Sequence, residues 1–307
     1  MTEITSRRYQ LEHSTVYHYS EPVLLSHQQL HLTPRPFSRQ RMHSHQVTIE
    51  PAPTVRHEST DAFGNPLTEI AMESAHRTLA ITAKTTVDVM PAAPGTDARD
   101  PDWQQVRDAL RYRARWRPAP PLLEATQFLY ESPHVRVKKT LRAYAADCFA
   151  TGRPIVAAAA ALMAKIHSEF SYDAKATTIA TPVLQFFQHK RGVCQDFAHL
   201  MIACLRSSGL AARYVSGYLL TRPAPGQQRR VGTDASHAWI SLYVPEQGWI
   251  DFDPTNNLMP SLEHITLGWG RDFSDVTPLR GVINGGGEQR LEVKVSVEPV
   301  LDGDVEV

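Results

Sequence analysis

The sequence predicts an α+β fold, on three observations. From about Arg8 to Val89 apolar and polar side chains alternate with the period of a strand. From Asp100 to Gly209 the alternation gives way to helix-forming runs, and after Gly209 it returns. Strands and helices are segregated along the chain and do not interleave as βαβ units, which excludes a doubly wound parallel sheet.

The first strand signal is "YQLEHSTVYHYSEPV" (Tyr9–Val23), rich in Tyr, Val and Thr. "LHLTPRP" and "HQVTIEP" each alternate and stop at a proline. "DAFGNPL" (Asp61–Leu67) carries turn chemistry, and "LAITAKTTVDVMP" (Leu79–Pro91) alternates again. Short strands joined by turns predict an N-terminal antiparallel β-sandwich over residues 1–95. "PAAPGTDARDP" (Pro91–Pro101) reads as a linker. A helix follows, with Asp100 as N-cap and Pro101 at the first helical position. "IVAAAAALMAKIHSEF" (Ile155–Phe170) is helical by propensity, and Thr181-Pro182 opens another helix. The stretch from Cys194 reads as a helix that ends at Gly209. Beyond it, Ala211–Leu220, His237–Pro245 and Gly248–Thr255 read as strands of a second domain, residues 96–280. The tail "RLEVKVSVEPV" (Arg290–Val300) follows "NGGG" and alternates strongly. Residues 281–307 are therefore expected to form a β extension that packs on one of the two domains.

The 307 residues carry 32 basic and 32 acidic side chains, so no global field points to nucleic acid or to an anionic membrane. The local run Arg111–Arg117 reads as a solvated helix face. No apolar run is long enough to span a bilayer, and the N-terminus lacks a signal-peptide core. Three cysteines without a C-x-x-C pair argue against a disulfide framework or a thiolate zinc site, so a reducing cytoplasm is the expected setting. The 14 histidines are scattered and none forms H-E-x-x-H. No metal and no cofactor are expected.

"RGVCQDFAHLMIACL" (Arg191–Leu205) places Cys194 at a helix start. Backbone N–H groups and partial positive charge there stabilise a thiolate, and the Cys194 N–H is placed to donate to an oxyanion. Gly192 just ahead is read as letting substrate approach the backbone. Cys204 and Cys148 have apolar neighbours and read as inert core thiols. A thiol nucleophile needs a base. His199 lies five positions on, about 140° around the helix, and faces elsewhere. His237 stands where a polar loop enters a strand and is the better candidate. "GWIDFDPTNN" offers Asp251 and Asp253 on one face of the next strand, in hairpin register with His237. Alternation alone leaves both open as the carboxylate that orients the imidazole.

"GVCQDFAHL", "ARYVSGY", "DASHAW" and "GWIDFDPTN" together resemble the core of the transglutaminase-like superfamily, over roughly Phe170 to Pro278. "YHYSEPV" and "DAFGNP" resemble the β-rich domain that precedes that core in its bacterial branch. The resemblance implies a papain-like site with Cys194 as nucleophile and His237 as base and then acid. Asp253, four residues after Trp249, becomes the orienter in preference to Asp251. It also matches Tyr172 loosely to a side chain that assists the oxyanion, and puts Trp239 and Trp249 at the cleft. The implied chemistry is cleavage of peptide or protein amides through an acyl-thioester, with hydrolysis favoured. The alternatives are acyl transfer to an amine and a non-catalytic scaffold that binds peptides. Calcium, used by animal transglutaminases, is not expected, because no dense Asp/Glu loop is present. The loop Thr221–Ser236, with Arg229 and Arg230, is expected beside the cleft.

Overall fold

A computed structural model describes residues 6–91, 100–114, 117–220 and 236–300. Most of the linker, part of the Arg111–Arg117 run, and Arg229 and Arg230 lie outside the described residues.

The N-terminal domain is built around one long strand, β1 (Arg7–Leu30). Four more strands follow: β2 (Gln40–Glu50), β3 (Val55–Thr60), β4 (Pro66–Met72) and β5 (His76–Val89). The first half of β1 pairs with β5, and β5 pairs with β2; the second half pairs with β4, and β4 with β3. β1 thus serves two layers. Its alternation breaks near Pro22, where the pairing register shifts between His18 and Val23. Val47, Ile49, Leu79 and Ile81 from one layer and Ile70 and Met72 from the other share one apolar core. "LHLTPRP" is not a separate strand, because β1 runs to Leu30 and the chain then leaves the sheet.

The helical region holds α1 (Trp103–Leu110), α2 (Pro120–Ala125), α3 (Lys139–Ala145) and α4 (Ile155–Glu169). After them come β6 (Ser171–Tyr172), α5 (Val183–His189), β7 (Arg191–Gly192) and α6 (Cys194–Ser207). The cap expected at Asp100 belongs to Asp102, whose carboxylate accepts the Gln104 N–H at 2.8 Å. Asp100 instead accepts the N–H of Val156 at 3.0 Å, in the first turn of α4. Both are Asp beside a helix start, and the sequence gives no means of telling which start each one serves. Gly209 ends α6 in the left-handed region at φ 82°, as its position predicted.

A four-stranded antiparallel sheet follows, with β8 (Ala212–Leu219), β9 (Ser236–Val244), β10 (Gly248–Phe252) and β11 (His264–Gly270) in the order β10-β9-β8-β11. Its inner face packs on α6 through Ala238, Ile240 and Leu242. The outer face is also covered: Tyr218, Ile265 and Leu267 form a core with Tyr9, Leu11, Val87 and Val89 of the N-terminal domain. The last two strands, β12 (Leu279–Gly285) and β13 (Gln289–Pro299), return to the N-terminal domain and pair with the two halves of β1.

β11 is the edge of its sheet, and residues of the N-terminal domain close that edge. The Gln40 side chain both donates to the Thr266 carbonyl (2.7 Å) and accepts from the Thr266 N–H (2.8 Å). Asn65 does the same to Trp269, at 2.8 and 3.0 Å. Arg35 donates its N–H to the Leu267 carbonyl. "DAFGNP" thereby gains a purpose: Asp61 accepts the Asn65 N–H and side-chain amide, which aims Asn65 at β11. Gly268 is required there, because a Cβ would come within 2.7 Å of Asn65 Oδ1. Paired amides remove the open edge that an unpaired strand would otherwise present.

Candidate active site

Of the three thiols, only Cys194 is not buried. It is the first residue of α6, so its N–H has no partner within the helix. Cys148 and Cys204 are enclosed by core residues, and burial raises both thiols. The start of α6 is held by Asp196, which accepts the Val193 N–H at 2.9 Å and the Thr177 hydroxyl at 2.7 Å. Burial raises the Asp196 carboxyl, and these two hydrogen bonds oppose that.

Gly192 proves to serve packing. A Cβ there would lie 2.5 Å from Asp196 Oδ2 and 2.8 Å from the Phe186 ring. The space a Cβ would need is taken by Asp196 and Phe186. Gly192→Ala is expected to displace Asp196 and cost about 1–3 kcal/mol. The checks are a lower melting temperature and slower alkylation of Cys194.

His237 sits on β9 directly across from Gly217 on β8. A Cβ at Gly217 would strike the Ile265 carbonyl oxygen at 2.1 Å and Trp239 Cη2 at 2.5 Å, so the packing here requires glycine. His237 Nε2–H donates to Asp253 Oδ2 at 2.7 Å, and the ring also bonds the Cys194 thiol. With Nε2 engaged, Nδ1 is the nitrogen left for the sulfur. Burial disfavours a charged His237, but the hydrogen bonds and charges of Asp253 and Cys194 outweigh it and lift the imidazole to about 10.

Asp253 is fully buried just past β10. Its Oδ1 accepts the N–H groups of Thr255 (3.0 Å) and Asn256 (3.2 Å). Its Oδ2 accepts from His237, from the Asn256 amide (2.8 Å) and from His264 Nε2 (3.1 Å). Burial alone would raise this carboxyl; the hydrogen bonds from the two histidines and Asn256 hold it well below the usual range. Asp251, the other carboxylate left open by alternation, is turned to Arg39 and Ser241.

The structure thus brings Cys194, His237 and Asp253 together. Tyr172, 59% exposed, pairs with Gly192 across β6 and β7. Burial and then the nearby Cys194 charge raise its phenol. Trp239 is buried beneath His237, with ring centroids 6.1 Å apart, and is a floor to the site, not a rim. Trp249 is not at the cleft. It packs on Phe128, Tyr243 and Arg213, near the other end of the β9–β10 hairpin. Its position follows from register: Trp249 pairs with Tyr243, six residues beyond His237. His199 faces away from Cys194, as the helical angle predicted, and stacks on His134.

Sequence reasoning missed His264 and Asn256. Asn256 carried a signal, since "DPTNN" puts it three residues after Asp253. His264 opens "HITLGWGRDFSDVTPLRG", a segment that resembles the bacterial branch, but that resemblance gives the side chain no role. Among the described residues, His237, Asp253 and His264 are the one grouping of metal-ligating types, with donor atoms within 4.8 Å. Both histidines already direct Nε2 at the same carboxylate oxygen, so hydrogen bonding accounts for their convergence. No helix among the described residues is long and apolar enough to cross a membrane.

Residues 9–88 match the bacterial transglutaminase-like N-terminal region, and residues 142–254 match the transglutaminase-like superfamily core. An uncharacterized protein of Mycobacterium tuberculosis is 42% identical, covering 97% of this chain and 95% of the relative. One of Mycobacterium leprae is 31% identical over 94% of this chain and 98% of its own length. Over 141 residues, 43% of this chain and 21% of the relative, the chain is 34% identical to a protein-glutamine gamma-glutamyltransferase of Pseudomonas aeruginosa. The crystal structure of a candidate cysteine protease from Cytophaga hutchinsonii superposes with a TM-score of 0.73, at 18% identity, over 98% of this chain and 92% of that one. The chain belongs to the transglutaminase-like superfamily, in the form that carries the bacterial N-terminal region.

Proposed function

We propose that the protein is a thiol enzyme that cleaves amide bonds of peptides or proteins through an acyl-thioester on Cys194. One observation carries the reading. The only thiol of the three that is not buried faces an imidazole whose other nitrogen is 2.7 Å from a buried carboxylate. The Cys194 thiolate attacks the amide carbonyl, and the oxyanion is met by the Cys194 N–H and the Tyr172 hydroxyl. The His237 imidazolium then gives its proton to the leaving amine, and the C–N bond breaks. A water, losing a proton to His237, attacks the thioester and releases the acid and the free thiol. Asp253 keeps the imidazole oriented throughout.

Transfer to an amine in place of water uses the same residues. The gamma-glutamyltransferase of Pseudomonas aeruginosa, similar over 141 residues, favours that second reading. Hydrolysis is the first, because water can act as acceptor without a binding site of its own.

Iodoacetamide at neutral pH is expected to label Cys194 well before Cys148 and Cys204, by about a hundredfold, since burial keeps those two as neutral thiols. His237→Ala should slow the labelling of Cys194 alone. Equal, slow labelling of all three would sink the enzyme reading. An amide library screened with and without a primary amine, with Cys194→Ala as blank, then separates hydrolysis from transfer by product mass.

A further inference from the structure

His264 opens β11 and is 94% buried by the measure of its 6% exposure. Its Nε2 lies 3.1 Å from Asp253 Oδ2, which can only accept, so Nε2 carries the proton. In the Nε2–H tautomer the lone pair lies at Nδ1. That atom is buried and meets no partner among the described residues. The same holds for Trp239 Nε1, an obligate donor on a residue only 1% exposed. The two rings stand edge to face at 5.1 Å and line one small cavity of about 10 Å³. Phe37, Arg39, Val89 and Met90 of the N-terminal domain also line it, with the polar Asp251 and Ser261.

Buried polar atoms rarely go without a partner, and a cavity this size accommodates one water. A donor on one wall and an acceptor on the other are what such a water joins. We propose that a single buried water links Trp239 Nε1–H to His264 Nδ1, and that His264, fixed as the Nε2–H tautomer, is a positioning residue that holds Asp253 for His237. The N-terminal domain becomes a working wall of the site. It lines the cavity, and Gln40 and Asn65 fix the strand that carries His264.

The consequence for catalysis rests on the proposed Cys194–His237–Asp253 reading, so the test uses readouts that need no substrate. In the intact protein with ¹⁵N-labelled histidine, NMR should find His264 neutral, protonated at Nε2 and hydrogen-bonded at Nδ1. Trp239→Phe keeps a ring but removes the donor, and should shift the His264 Nδ1 signal. His264→Leu should lower the titration midpoint of His237 by about one unit and slow alkylation of Cys194 about tenfold. His264→Gln, which retains an N–H near the Nε2 position, should restore most of both. A His264 protonated at Nδ1, or a Nδ1 signal indifferent to Trp239→Phe, would overturn the water link even if His264→Leu fails to fold. A His237 midpoint unmoved in folded His264→Leu would overturn the positioning role. If Asp253→Asn also leaves His237 unmoved, the fault lies with the triad reading itself.

Discussion

Asp253→Asn is expected to lower turnover about a thousandfold to ten-thousandfold while leaving the chain folded. The substitution is isosteric, so the cost lies in hydrogen-bond direction. The Asp253 carboxylate accepts five hydrogen bonds and donates none. An Asn carbonyl can keep the Thr255 and Asn256 N–H groups, but its NH2 then faces three donors. His237 can accommodate an incoming donor only by moving its proton from Nε2 to Nδ1. Nδ1 is the nitrogen that must take the Cys194 proton, so the base is lost in the tautomer that fits. The pH profile should move as well. With Asp253 in place, the imidazolium persists up to about pH 10, so the alkaline limb of kcat/KM belongs near there. Removing the carboxylate charge leaves burial to act, and the limb should move down. The checks are kcat, the alkaline limb and a melting curve. Turnover within tenfold of wild type would show that Asp253 is not the orienter.

The elements and the meeting of Cys194, His237 and Asp253 were largely legible in the sequence, and the reason is local. Period two and helix propensity act within a few residues, so α4, α5, α6, β9 and β10 stand close to where the pattern put them. Cys194, His237 and Asp253 each sit at the end of such an element, where spacing locates a side chain. What stayed hidden depends on contacts across the chain. Gln40 and Asn65 read as ordinary strand and turn residues, yet they bond partners 226 and 204 positions away. His264 is identified only once β11 is folded against Asp253. Trp249 was misplaced because a motif gives order along a strand but not which end faces the cleft. Both faces of β9 are buried from Ala238 to Val244.

Arg206→Met is expected to lower the melting temperature by about 10 °C, the largest stability effect at a single side chain outside the apolar core. Arg206 is buried near the end of α6 and spends its guanidinium on the framework behind the site. It donates to the carbonyls of Ala212 (2.8 Å), Tyr130 (2.9 Å) and Arg271, and to the Ser132 hydroxyl (3.2 Å). These tie α6 to β8, to the loop after α2 and to the turn after β11. Burial pushes the guanidinium down to about 9, and the Asp272 charge offsets part of this, so it stays charged at neutral pH. Asp272 is itself fully buried and accepts from His134 N–H (2.8 Å), Ser274 N–H (2.9 Å) and the Ser274 hydroxyl (2.6 Å). Methionine fills a similar volume but takes the donor from three carbonyls and removes one of the two guanidinium charges, of Arg206 and Arg271, that act on Asp272, at a cost of about 3–5 kcal/mol. Lysine should rescue only part, because one ammonium cannot reproduce the planar fork. Arg206 lies twelve residues from Cys194, about 18 Å along the helix. Below the new melting point the alkylation rate of Cys194 should therefore match wild type. A loss of reactivity without a loss of stability would mean that α6 transmits strain from its far end to the thiol. A melting temperature within 2 °C of wild type, by calorimetry, would show that the packing of α6 holds the site without this network.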